Sequence, residues 1–193
     1  MRRGFKSQAE RLAVDIRGRH GCGDTQTAPL DVVAKELGAT IVPADELVDR
    51  GRLEELEVLQ EGAFSAATFR LPNGTRVIVY NPLHGLGRTR SNQAHELAHI
   101  LLDHDLRTIE RVGSLNFFTC DIEQEEEADW LAGCLLLPRP LLLKSAVSGL
   151  TPAQIAEKYD TSEPMARFRL NASGVLVQVG RAKAAKARRG ARK

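Results

Sequence analysis

Two imidazoles and a carboxylate at the spacing of a helix turn, His95-Glu96-Leu97-Ala98-His99, are the side chains of this sequence best placed to do chemistry. Four residues along a helix turn through about 400°, so both histidines leave one face while Glu96 stands roughly 100° round from it. Two histidines on one face can bind a zinc ion, and a carboxylate beside the metal rather than on it can serve as a general base. The pattern therefore points to a metallopeptidase. Ala94, Leu97, Ile100 and Leu101 form an apolar stripe opposite the histidines, so the helix that carries them is expected to be buried with one polar edge on a cleft.

A catalytic zinc takes three protein ligands and keeps one position for water, so a third ligand is required. His104 is the nearest histidine. An arrangement with a third histidine needs it six residues after the second, with glycine midway. Here Leu102 occupies the glycine position and His104 comes one residue early. On a continuing helix it would point about 180° from His95, ending the helix or meeting water. The other arrangement draws a glutamate from a separate helix, and Glu123-Gln124-Glu125-Glu126-Glu127-Ala128-Asp129-Trp130-Leu131-Ala132 reads as that helix. Glu125, Ala128, Asp129 and Ala132 share a face whose alanines allow close approach. Glu125 is the expected ligand, with Asp129 one turn on to accept a hydrogen bond from the outer nitrogen of a ligating histidine. Glu127 is the alternative ligand, because helix phase alone separates the two. A bland reading of the acidic run is a solvated helix start favoured by the helix dipole.

With these segments in view, the chain resembles the ImmA/IrrE family of metallopeptidases. The likeness covers Arg3-Gly4-Phe5-Lys6-Ser7-Gln8-Ala9-Glu10, the strand and turn Val77-Ile78-Val79-Tyr80-Asn81-Pro82, the metal helix through Leu101-Leu102-Asp103-His104, and Glu125-Glu126-Glu127-Ala128-Asp129 leading to Leu135-Leu136-Leu137-Pro138. It implies zinc ligands His95, His99 and Glu125 with Glu96 as catalytic base. It also implies a substrate that is a helix-turn-helix repressor, often encoded next door, whose cleavage releases a stress-response or mobile-element operon. Where the family usually has aromatic and other apolar residues before the motif, this chain has Ser91-Asn92-Gln93.

The expected fold is α+β: a small zincin-like core, mostly helical with a short antiparallel sheet, over residues 1–148. Residues 149–180 follow as a helix-turn-helix-like extension and 181–193 as a basic disordered tail. Ser7 to Arg19 is an amphipathic helix and Asp31 to Leu37 a shorter one. Residues 39–42, 63–70 and 75–80 read as strands, the last two joined by the turn Pro72-Asn73-Gly74. A strand at the cleft edge could hold an extended peptide by strand addition. Thr151-Pro152-Ala153-Gln154 has a helix-start signature, and Ser162 to Asn171 follows as a second helix. Such a pair either contacts DNA or packs on the core.

The tail from Arg181 carries seven of the 27 Lys and Arg and no acid, which leaves about minus five on the rest against +2 overall. Weak nucleic-acid contact through that tail is expected at low salt, against plain solubilisation. Three cysteines, Cys22, Cys120 and Cys134, have no close pair and suit a reducing cytoplasm. The opening Met1-Arg2-Arg3-Gly4-Phe5-Lys6 lacks an apolar targeting region, and the longest apolar runs are too short to span a bilayer.

The expected reaction is peptide hydrolysis, with an oxyanion donor to be found among His84, Arg88, Arg90, Tyr80 and Tyr159. The competing class is a zinc-containing regulator, or an antitoxin-like protein, that binds a partner repressor or DNA without cutting. An intact Glu96 favours the enzyme, because a purely structural zinc fills its fourth position with protein and needs no base.

Overall fold

A computed structural model of the chain describes residues 1–104, 109–112, 115–118 and 121–190. Cys120 and residues 191–193 of the basic tail therefore lie outside the described residues.

The chain opens with α1 (Phe5–Arg19), whose buried side chains Phe5, Ala9, Ala13 and Ile16 recur at helical spacing. The buried guanidinium of Arg17 ends the helix by donating to the carbonyl oxygen of Gln26 at 2.7 Å and to that of Gly23. After α2 (Leu30–Glu36) come β1 (Ala39–Pro43), α3 (Arg50–Leu59), β2 (Ala66–Arg70) and β3 (Arg76–Tyr80). The first part of the expected strand at 63–70 is loop, and α3 was not foreseen; Asp49 caps it by accepting from the Gly51 backbone N–H at 2.9 Å. The sheet runs β1-β3-β2. It is mixed rather than antiparallel, because α3 and β2 form a crossover that lets β1 pair parallel to β3, while β2 pairs antiparallel to it. Gly74, at φ +85°, makes the turn between β2 and β3.

Two helices hold the centre. In α4 (Leu86–Leu101), Ala94, Leu97, Ala98 and Ile100 are buried, and this helix packs on α5 (Ile122–Leu136). From Ala128 onward α5 is almost wholly enclosed, with Ala128, Leu131, Ala132, Leu135 and Leu136 fully buried. A helix apolar on all sides can be satisfied only in a core. A hairpin of β4 (Ile109–Val112) and β5 (Leu115–Phe118) lies between α4 and α5 in sequence.

Beyond α6 (Arg139–Val147), Thr151 and Gln154 form the expected capping box of α7 (Pro152–Lys158), with bonds of 2.9 and 3.3 Å. Ser162 caps α8 (Glu163–Ala172). Both helices contribute to the main apolar core through Ile155, Ala166 and Leu170. Phe168 also meets Trp130 of α5 edge to face, with centroids 5.8 Å apart. The polar Ser91 in α4 docks the turn between α7 and α8, its hydroxyl 3.1 Å from that of Thr161 and accepting from Ser162 N–H at 2.9 Å. Where a disordered tail was expected from Arg181, α9 (Val175–Gly190) runs on as a helix. Val175 and Val179 anchor its start, and residues 180–189 are exposed. The alanines spaced through it favour helix even without a core. Among the described residues, no single helix is long and apolar enough to cross a membrane.

Candidate metal centre

His95 and His99 leave α4 on one face and meet Glu125 from α5. His95 Nε2 lies 3.0 Å from His99 Nε2 and 3.1 Å from Glu125 Oε2, and His99 Nε2 lies 3.6 Å from Glu125 Oε1. Zinc at roughly 2.0–2.1 Å from tetrahedral ligands places them about 3.3 Å apart, so two imidazole nitrogens and one carboxylate at these separations fit the ion and leave a fourth position. Ala128 and Ala132, on the Glu125 face of α5 and fully buried, are small enough to allow this approach.

Asp129 Oδ1 lies 2.8 Å from His95 Nδ1, at the outer nitrogen as helix phase predicts. Burial pulls the His95 pKa down, but hydrogen bonds to Asp129 and Glu125 outweigh it and raise it from 6.5 to about 9. A metal held here would replace only the proton on Nε2, on the Glu125 side, while Asp129 keeps the one on Nδ1.

Glu96 lies outside this cluster, near enough for its charge to add to the rise in the His95 pKa. It is buried, and its Oε2 accepts a 2.7 Å hydrogen bond from Thr68 Oγ1 on β2. Thr68 was missed in the sequence, where a lone threonine in a strand carries no sign of its partner 28 residues away. Its position puts edge strand β2 beside the candidate base.

Glu127, the alternative ligand, is turned elsewhere. Its carboxylate accepts from Arg2 Nε at 2.9 Å and Nη2 at 2.6 Å, and from the Arg2 backbone N–H at 3.0 Å. The side-chain bonds to Arg2 outweigh burial and hold its pKa down at about 2. Of the two expectations for His104, the helix does end just before it, but its side chain, 6% exposed, turns inward instead of meeting water, with its Nδ1 3.0 Å from His99 Nδ1. The helix does not continue past Leu101. Asp103 adopts φ +50° and turns the chain back, so that His104 N–H donates to the His99 carbonyl at 3.0 Å.

The oxyanion candidates are scattered. His84 lies 3.2 Å from Glu57, Arg88 donates to Ser65 at 3.1 Å, and Arg90 donates to Thr27 at 3.2 Å. Tyr80 ends β3, where burial raises its phenol pKa. Tyr159 lines a different cleft of about 480 Å³ with His20, Cys22 and Lys158.

Compared with known proteins, residues 56–171 match the IrrE N-terminal-like domain of a peptidase family. That span holds His95, Glu96, His99, Glu125 and Asp129. Among solved structures, a Mycobacterium tuberculosis transcriptional regulator is similar with a TM-score of 0.50 at 16% identity, covering 84% of this chain and 46% of that one. The chain thus spans less than half of that regulator, and at this identity the likeness is one of fold. No curated protein matches the chain.

Proposed function

Since the chain belongs to the peptidase family of the IrrE N-terminal-like domain, we propose that it is a zinc-dependent endopeptidase acting on a partner protein. The observation that carries the reading is the convergence of His95, His99 and Glu125 from two helices, with Glu96 alongside but outside the cluster. Zinc held by these three residues would polarise the substrate carbonyl and lower the pKa of the hydrolytic water toward neutrality. Glu96 takes the proton from that water and passes it to the leaving amine. Thr68 occupies one carboxylate oxygen of Glu96 and so leaves the other for the water. Asp129 holds His95 in the tautomer that presents Nε2 to the metal. An extended substrate segment pairs with the edge strand β2, which brings its carbonyl past Thr68 toward Glu96.

The substrate we favour is a helix-turn-helix repressor encoded nearby, in stress-response or mobile-element regulation within the cytoplasm; a fold shared with a transcriptional regulator is in keeping with that setting. The exposed cations of α9, Arg181, Lys183, Lys186, Arg188 and Arg189, supply weak, salt-sensitive contact with nucleic acid.

Purified protein should hold about one zinc and cut the neighbouring repressor, and Glu96→Gln should keep the metal but produce no fragments. Loss of zinc in Glu96→Gln would make Glu96 a ligand and overturn the mechanism. Repressor binding without fragments by the zinc-loaded wild type would favour a regulator that cuts nothing.

A further inference from the structure

We infer that His104, Glu127 and Arg2 form an outer support for His99, with His104 as a positioning residue that fixes the second metal-binding imidazole. This rests on the metal centre proposed above. Donor and acceptor accounting supplies the argument. His99 turns Nε2 toward His95 and Glu125, at 3.0 and 3.6 Å, so a neutral His99 in a metal site carries its proton on Nδ1. Two ring nitrogens 3.0 Å apart need one donor and one acceptor; His99 Nδ1 donates, and His104 Nδ1 accepts. The proton of His104 is then on Nε2, which faces the buried carboxylate of Glu127 at 3.6 Å. Glu127 is held in turn by the fork of Arg2 and by its backbone N–H.

Outward from the metal site, His99 Nδ1 donates to His104 Nδ1 at hydrogen-bond distance, and His104 Nε2 then faces Glu127 Oε2 at 3.6 Å, an electrostatic contact longer than a hydrogen bond. His95 is hydrogen-bonded to Asp129 directly, whereas His99 is hydrogen-bonded to His104, whose far nitrogen faces Glu127, so each imidazole has a carboxylate on its outer side. Ligating histidines need such a partner to set tautomer and ring orientation. The left-handed turn at Asp103 brings His104 back to His99, and Arg2 ties the segment before α1 to the same support. His104 is no substitute ligand, because the nitrogen it offers faces the outer side of His99.

The test compares wild type with His99→Ala, His104→Leu, His104→Asn and Arg2→Ala. It measures zinc affinity by chelator competition, the absorption spectrum of the cobalt-loaded protein, and melting of the metal-free protein. His104→Leu should lose roughly ten- to hundred-fold in affinity and alter the cobalt spectrum. His104→Asn puts an amide oxygen near the Nδ1 position and should recover most of both. Should His104→Leu fail to fold, Arg2→Ala, whose side chain is largely exposed, carries the test through a several-fold loss with an altered spectrum. Wild-type affinity and spectrum in folded His104→Leu or in Arg2→Ala would overturn the support, as would a His104→Asn no better than the leucine variant. Failure of the metal centre reads differently: His99→Ala would then bind zinc as tightly as wild type.

Discussion

Replacing Arg169 by alanine should be among the most damaging single changes in this chain, although it lies outside the metal site. Its side chain is fully buried and crosses from α8 to α5 and α1. Nε and Nη2 donate to the Leu137 carbonyl at 3.3 and 3.2 Å, Nη2 also donates to Glu10 Oε1 at 2.8 Å, and the guanidinium carbon lies 5.4 Å from the Trp130 ring. Truncation strips the buried carbonyl of both donors, which costs about 1–3 kcal/mol. Glu10 is 28% exposed and recovers water, so losing that pair adds only about 1 kcal/mol. The cation–ring contact with Trp130 adds about 1 kcal/mol more. Together these come to about 3–5 kcal/mol, or a fall in melting temperature of about 10 °C for a chain of this length. Thermal unfolding followed by circular dichroism reads it directly, with Arg167→Ala on the exposed side of α8 as the control within about 0.5 kcal/mol of wild type. Gly133 supplies a second arm. A Cβ there would stand 2.8 Å from Arg169 Cγ, so Gly133→Ala should destabilise wild type but become neutral or stabilising once Arg169 is alanine. A shift under about 2 °C for Arg169→Ala, or a Gly133→Ala effect unchanged by the second substitution, would refute the reasoning.

Three further outcomes follow from the site and the core. Glu125→Ala should lose about two to three orders of magnitude in zinc affinity, the share of one ligand in a total of roughly 10–16 kcal/mol spread over four positions; Glu127→Ala should lose far less, and the reverse ranking would move the ligand along α5. Thr68→Val should lower turnover of a peptide substrate about ten- to hundred-fold with little change in KM, the value of a hydrogen bond to a charged base, while Thr68→Ser retains activity; a fully active valine variant would remove Thr68 from the mechanism. Burial pushes the Cys134 thiol pKa up, whereas half-buried Cys22 lines an open cleft. Iodoacetamide should therefore label Cys22 in the native protein and Cys134 only after unfolding, and mass spectrometry showing equal native labelling would contradict the packing of α5.

What the sequence determined by itself is what local periodicity can carry. His95, Glu96 and His99 share one turn of a helix, Glu125 and Asp129 share another, and Thr151 and Gln154 cap a third, because 3.6 residues per turn tie spacing to direction without knowledge of the rest of the chain. Pairing Glu125 with the histidines needed only the assumption that two amphipathic helices bury their alanine faces together. Tertiary structure decided what depends on where the chain turns and what it meets afterwards. A single left-handed residue at Asp103 converts His104 from a solvent-facing helix end into a neighbour of His99. The direction of β1, parallel to β3, follows from the crossover through α3 rather than from any pattern within the strand. Arg2 with Glu127, Thr68 with Glu96 and Arg169 with Glu10 are charged or polar side chains drawn together from 125, 28 and 159 residues apart. In sequence Arg2, Thr68, Glu10 and Arg169 read as ordinary residues, and nothing there names them as the partners of Glu127, Glu96 or one another. Folding excludes water from Glu127, Glu96 and Arg169, and a buried polar group must then find its partner wherever the packing has placed one.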